Sequence, residues 1–246
     1  MKVLILGGHG YLGPHVVEAL EGDCELRITD IKDIDSPHET RRVDVSNLDQ
    51  VMEAAEGMDV VVNCSVLRRD PKLAFDVSTL GTYNAIRAAV EHGMERFINT
   101  GPHFTISGDT YYRQDFAISE EIPPHAGTGL YALSKSAGQE ICRVFSENYP
   151  IHVLCTLFLN FAPPEAEPAR RGRDLNSFAV TFRDAAQAIK CALEVDLDHL
   201  PSQNEIFYIT TDLPHGKYSN EKSRRLLGWE PQDKLEEYWR KAPPPS

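Results

Sequence analysis

The chain has few cysteines, and their placement limits the chemistry they can support. Its 246 residues include five, an odd number, and none forms a Cys-x-x-Cys pair: Cys24, Cys64, Cys142, Cys155 and Cys191. A disulfide framework or a zinc site is therefore not expected, and we predict no metal site. Unpaired thiols fit a reducing compartment, so the expected location is the cytoplasm.

Long apolar runs and an excess of positive charge are also lacking. No stretch approaches the roughly 20 apolar residues of a membrane helix. Only four apolar residues, 3–6, precede the first glycine, which is too short for a signal peptide. With 37 acidic residues against 25 Lys and Arg, the net charge is -12. This balance argues against nucleic acid or an anionic membrane as partner, although one or two local donors can still hold a small anion.

Short apolar runs alternate with helical patterns along the chain, which is typical of a parallel βαβ sheet. We predict strands at 2–6, 25–30, 41–45, 59–64, 96–100, 151–159 and 205–210. Helices are expected after the first glycine turn to about residue 20, then at 47–56, 72–92, 130–148, 183–195 and 220–227. The pattern predicts one α/β domain over 1–246, a doubly wound parallel sheet of Rossmann type. Small substrate-binding segments are expected at about 160–181 and 211–246.

Three glycines follow the first strand and open the first helix, in the spacing Gly7-x-x-Gly10-x-x-Gly13. Glycine permits a tight turn, lets backbone N–H groups approach a diphosphate, and allows close packing of helix on strand. The helix N-terminus adds partial positive charge. The motif predicts a dinucleotide site that includes Tyr11 and Leu12. An ordinary strand-to-helix turn is the alternative.

Asp30 ends the second predicted strand, 17 residues after Gly13. A carboxylate at this place accepts hydrogen bonds from the adenosine ribose and repels a 2′-phosphate, so it favours NAD over NADP. Lys32, two residues further on, weakens that preference. Asp44 and Val45 are candidates to flank the adenine. Cys64, at the end of the fourth strand, would lie near the nicotinamide, although a small buried residue is the simpler interpretation.

Tyr131 and Lys135 are four residues apart on a predicted helix and therefore share a face. An ammonium near a phenol lowers the phenol pKa, and the phenolate can take a proton from a substrate hydroxyl. Tyr218 and Lys222 have the same spacing. Position favours the first pair, because it begins the helix after the fifth strand, at the expected nicotinamide end.

Taken together, these residues resemble the extended short-chain dehydrogenase/reductase family, of the epimerase/dehydratase type. The matching motifs are Gly7-x-x-Gly10-x-x-Gly13, Asp30, Asp44, Gly81-Thr82-Tyr83-Asn84, Tyr131-x-x-x-Lys135, Phe182-Arg183-Asp184 and Leu226-Leu227-Gly228-Trp229-x-Pro231. The resemblance implies that NAD is the cofactor, that Tyr131 is the acid/base and that Lys135 orients the ribose. It also implies a homodimer built on the helices at 72–92 and 130–148.

One departure from the family concerns the Ser or Thr that follows the fifth strand and bonds the reacting oxygen. Thr100, Gly101, His103 or Thr105 fills that position, depending on how gaps are placed, and we take Thr100 as the catalytic candidate. The segments around His103, at Gly129-Leu130-Tyr131-x-x-Ser134-Lys135 and at Leu227-Gly228-Trp229-x-Pro231 also resemble those of uronate dehydrogenases. That similarity implies a small sugar or sugar acid, with His103, Thr105, Arg170 and Arg171 as substrate ligands. A solvated arginine loop and a plain loop histidine are the alternatives.

Three functions remain open from the sequence. The leading hypothesis is an NAD-dependent oxidoreductase that moves hydride between the cofactor and a small sugar or sugar acid, for example a hexuronate. The second is a sugar epimerase or dehydratase that retains NAD. The third is a catalytically silent, dinucleotide-binding regulatory protein, suggested by the irregular Gly101-Pro102 segment.

Overall fold

Nine β-strands form two parallel sheets in the computed structural model, which describes residues 1–114, 117–162 and 175–239. The strands are β1 Lys2–Leu6, β2 Glu25–Asp30, β3 Glu39–Arg42, β4 Val60–Asn63, β5 Arg96–Pro102, β6 His152–Phe158, β7 Asn160–Phe161, β8 Ala179–Val180 and β9 Asn204–Tyr208. Seven of them form the main sheet in the order β3-β2-β1-β4-β5-β6-β9, and β7 pairs with β8. The predicted Rossmann-type parallel sheet is confirmed.

Helices cover both faces of the main sheet. They are α1 Gly13–Leu20, α2 Leu48–Ala55, α3 Pro71–Phe75, α4 Gly81–Glu91, α5 Leu130–Asn148, α6 Phe182–Glu194, α7 Glu221–Leu227 and α8 Glu236–Trp239. One core joins the sheet to α1 and α6 through Val16 and Ile189, and the other joins it to α2, α4 and α5 through Val51, Ile86 and Cys142. Among the described residues, no helix is long and apolar enough to cross a membrane.

The helix predicted at 72–92 is divided into α3, a π-type turn at Asp76–Leu80, and α4. Asp70 caps α3, because its side chain accepts from the Leu73 amide at 2.9 Å. The wide turn lies where α5 comes closest: a Cβ on Gly138 would be 2.2 Å from the Ser78 carbonyl oxygen. The predicted stop at Gly93 is confirmed, with a φ of +70°.

Three predicted strands had wrong limits: the seventh, predicted at 205–210, is β9 Asn204–Tyr208, and the third and fifth end where their pairing partners dictate. The third strand, predicted at 41–45, is β3 Glu39–Arg42, because its ladder ends where Arg42 meets the last residue of β2, Asp30. Val43 and Val45 leave the ladder and enter the core. The fifth strand continues past the predicted residue 100 to Pro102, because β6 pairs with it as far as Phe158.

The chain after α7 is fastened to the start of α6. Trp229 donates its indole N–H to the Asp184 carbonyl oxygen at 2.9 Å. The buried Asp184 carboxylate accepts from the backbone amides of Gln232 at 3.0 Å and Asp233 at 2.9 Å. We call this arrangement the C-terminal clasp. It explains why Asp184 and Trp229 stand in two motifs far apart in the sequence.

Candidate functional site

The glycine turn, residues 7–13, leads from β1 into α1 beside the point where the strand order reverses between β1 and β4. Gly7 has a φ of +76°, and a Cβ there would be 2.8 Å from the Ser65 Cα. A Cβ on Gly13 would be 2.4 Å from the Gly8 carbonyl oxygen. Both positions therefore require glycine. The turn leaves backbone and the α1 N-terminus facing the crevice, so it fits a dinucleotide diphosphate.

Asp30 ends β2, as predicted, and lies against the glycine turn. Its carboxylate accepts from the backbone amides of His9 and Lys32, each at 3.2 Å. A carboxylate at this strand end fits the ribose of a bound dinucleotide. Asp44 bonds the Ser46 amide at 3.0 Å, and Val45 packs against Gly81, where a Cβ would be 2.8 Å from a Val45 methyl.

A cavity of about 240 Å³ opens at the carboxyl ends of the central strands. It takes residues from the glycine turn, from the chain after β4, from the end of β5, from α5 and from the end of β6. The lining consists of Tyr11, Leu12, Cys64, Val66, Arg68, Thr100, Gly101, Pro102, Phe104, Tyr131, Lys135, Phe158, Leu159 and Phe161. The glycine turn and the pair Tyr131 and Lys135 therefore line one cavity.

Lys135 is buried and ties two strand ends together. Its ammonium donates to the carbonyl oxygens of Ser65 at 2.9 Å and Thr100 at 3.2 Å. Burial lowers the pKa of Lys135 to about 8, so it stays largely protonated at neutral pH. Burial raises the pKa of the neighbouring Cys64 thiol to about 12, which favours the small buried residue over a nucleophile.

Tyr131 lies beside Arg68, whose Cζ is 5.6 Å from the centroid of the phenol ring. Burial raises the pKa of Tyr131, and the charge and hydrogen bonding of Arg68 oppose that rise. The sequence predicts that the Lys135 ammonium lowers the pKa of Tyr131. In the structure the positive charge of Arg68 has this effect, because the Lys135 ammonium points to the Ser65 and Thr100 carbonyls.

The candidates after β5 separate into two groups. Thr100 and Gly101 line the cavity, but the Thr100 hydroxyl donates to the Asn63 carbonyl oxygen at 2.8 Å, so its proton is engaged. The His103 and Thr105 side chains, predicted as substrate ligands, are buried behind the lining. The His103 ring stacks on Phe178 with centroids 4.5 Å apart, and Thr105 bonds the Gln139 side chain at 2.9 Å.

This placement arises because β5 continues to Pro102 and then enters a 3-10 turn at His103–Thr105, which directs both side chains inward. Arg170 and Arg171 lie outside the described residues. The second Tyr-x-x-x-Lys pair is structural: Tyr218 packs in an aromatic cluster with His103 and Phe178, and Lys222 pairs with Glu205 at 2.8 Å.

Sequence reasoning missed Arg68 and the apolar lining from Phe104, Leu159 and Phe161. A signal for Arg68 was present, since Arg68 and Arg69 lie in the segment after β4, whose carboxyl end faces the predicted cofactor. The aromatic lining carried no such signal, because its burial depends on packing between distant segments.

Residues 3–197 match the NAD dependent epimerase/dehydratase family. A curated relative, the NAD-dependent glucose-6-phosphate dehydrogenase of Haloferax volcanii, is 25% identical over 96% of this chain and 95% of its own length. Among solved structures, uronate dehydrogenase from Agrobacterium tumefaciens is similar with a TM-score of 0.80 and 22% identity, over 100% of this chain and 91% of that one.

A UDP-glucose 4-epimerase from Thermus thermophilus, solved with NAD, has a TM-score of 0.78 and 21% identity, over 98% of this chain and 97% of that one. The family match spans the glycine turn, Asp30, Tyr131 and Lys135. The chain therefore belongs to the NAD dependent epimerase/dehydratase family, as an enzyme whose cofactor is NAD.

Proposed function

We propose that the protein is an NAD-dependent oxidoreductase acting on a small sugar or sugar acid, with a hexuronate as the specific candidate. One observation carries the proposal: Tyr131 and Lys135 line the same cavity as Tyr11 and Leu12 of the glycine turn. A substrate hydroxyl in this cavity would be within reach of both the phenol and the cofactor's reactive end.

Each residue has a role in this proposal. The backbone of Gly7, Gly10 and Gly13 holds the diphosphate, and Asp30 accepts from the adenosine ribose. Bound NAD supplies the hydride acceptor. Tyr131 takes the proton of the substrate hydroxyl as general base, and the charge of Arg68 favours its ionised form. Lys135 holds the nicotinamide ribose, and its bonds to the Ser65 and Thr100 carbonyls fix its position.

The volume of the cavity and the substrates named in similar proteins both favour a small substrate. A cavity of about 240 Å³ is smaller than the roughly 300–1,000 Å³ of drug-sized ligand sites, so a single sugar fits better than a nucleotide-sugar. The substrates named in two relatives, glucose 6-phosphate and uronate, are both single sugars with an anionic group. Segments 160–181 and 211–246 are proposed to complete the substrate site, with Arg170 and Arg171 as further candidates.

The test follows NADH formation with NAD and a panel of uronates, sugar phosphates and neutral sugars. We expect net NADH with at least one sugar acid, and Tyr131→Phe should lower kcat by about 10²- to 10⁴-fold, since it removes the proton acceptor. The control is Tyr218→Phe, the tyrosine of the structural pair, which should retain the rate.

Two other outcomes would replace the proposal. Sugar conversion without net NADH would indicate an epimerase or dehydratase that retains NAD. NAD binding without any conversion would indicate the silent regulatory protein, which the engaged hydroxyl of Thr100 favours.

We also propose a homodimer formed through α4 and α5. Large apolar side chains remain exposed on α5 and just before α4: Leu73, Leu80, Leu130, Leu133 and Val144. Covering them in a two-fold contact would remove apolar surface from water. We expect light scattering at micromolar concentration to give twice the chain mass, and a monomer would contradict the proposal.

A further inference from the structure

Arg68 is an exposed arginine at the cavity, and its partner there is the Tyr131 phenol, not a carboxylate of the described residues. The chain as a whole carries a net charge of -12, yet among the described lining residues the charged side chains are Arg68 and Lys135. Lys135 is held by two backbone carbonyls. No carboxylate in the described ranges forms an ion pair with Arg68. The cavity therefore offers one guanidinium to a ligand.

The surroundings of Arg68 suit it to an anion. Its guanidinium lies over the Tyr131 ring, 5.6 Å from Cζ to centroid, which helps to hold it at the cavity. Phe104, Leu159 and Phe161 give the remaining lining an apolar character. An ion pair formed beside such side chains is screened less by water than one on an open surface. A guanidinium also bonds carboxylate or phosphate oxygens in pairs.

We propose that Arg68 binds the anionic group of the substrate, a carboxylate or a phosphate on a small sugar, and so selects charged sugars over neutral ones. This proposal rests on the proposed function and narrows its substrate class. Because Arg68 neighbours Tyr131, the anionic group and the reacting hydroxyl would lie within the length of one sugar. The role falls on the chain after β4, in a segment where the sequence had indicated no substrate ligand.

The test measures binding without turnover. Wild type, Arg68→Gln and Arg68→Lys are saturated with NADH, which cannot oxidise an alcohol, and titrated by calorimetry with glucuronate, glucose 6-phosphate and glucose. We expect wild type to bind a charged sugar more tightly than glucose. Arg68→Gln should weaken that binding about ten- to 100-fold and leave glucose and NADH unchanged. Arg68→Lys should fall between, because it keeps the charge and loses the paired geometry.

The matched control is Arg69→Gln, because Arg69 is exposed like its neighbour Arg68 but does not line the cavity. It should bind every ligand as wild type does. Comparing the glucuronate and glucose 6-phosphate titrations shows whether the anion is a carboxylate or a phosphate. The proposal is overturned if Arg68→Gln binds the charged sugars as wild type does, or if Arg69→Gln loses as much. It is also overturned if Arg68→Gln weakens NADH equally, because the anion would then be the cofactor's diphosphate.

The two proposals fail separately. If charged sugars bind through Arg68 but wild type converts none of them with NAD, the oxidoreductase proposal fails and this one stands. If NADH forms from a sugar whose affinity does not depend on Arg68, the reverse holds.

Discussion

The glycine turn and the β5 wall, residues 100–105, line or back the same cavity but are built in different ways. In the turn, the missing side chains of Gly7 and Gly13 determine the conformation. In the wall, buried side chains determine it: His103 stacks on Phe178, and Thr105 bonds Gln139. The conformation of the glycine turn therefore depends on its backbone, whereas that of the β5 wall depends on packing between distant segments.

The difference explains why one region was predictable and the other was not. A backbone site needs glycine at fixed spacing, and that spacing is visible in the sequence. The direction of the His103 side chain depends on where β5 stops, and this in turn depends on pairing with β6. Two changes, one in each region, test this comparison.

Gly13→Ala should give the larger effect. Its Cβ would be 2.4 Å from the Gly8 carbonyl oxygen, so backbone must move. We expect the free energy of unfolding of the cofactor-free protein to fall by about 3 kcal/mol, the upper end for overpacking, measured by urea titration.

Gly10→Ala is the matched control within the turn, because its Cβ would be 3.2 Å from the Gly7 carbonyl oxygen. It should cost less than about 1 kcal/mol of stability. Equal losses in the two variants would mean that the turn does not depend on close packing at Gly13.

His103→Phe should give the smaller effect, visible in acid. Burial lowers the pKa of His103 to about 3. Below pH 6.5, therefore, the His103 imidazole becomes protonated in the unfolded chain but stays neutral in the folded chain. His103 therefore makes wild type lose stability as pH falls, by about 2 kcal/mol between pH 7 and pH 5. In His103→Phe this part of the loss should disappear, measured by urea titration at both pH values.

His199→Gln changes an exposed histidine and should keep the wild-type acid sensitivity. If His103→Phe and His199→Gln lose stability equally between the two pH values, the His103 ring is accessible to protons, and the β5 wall is not packed as described.

Most of the fold followed from the sequence, because alternating apolar runs and caps are local signals. The succession of strands and helices, the place of Asp30 at the end of β2, and the stop at Gly93 were all predictable in this way. The division between α3 and α4 was not, since it coincides with the close approach of α5 at Gly138. The position of Arg68 after β4 was a usable signal, but its contact with the Tyr131 ring was not predictable, because it depends on where the Arg68 and Lys135 side chains point.

The C-terminal clasp affects how fast a truncated form of the protein would be degraded in a cell. Asp184 is buried, and its carboxylate takes both of its backbone donors from residues 232 and 233. A translation product ending before Trp229 would lose these two hydrogen bonds and the buried Trp229 ring, at a cost of a few kcal/mol. Such a product would unfold more often, and quality-control proteases would remove it faster than the 246-residue chain.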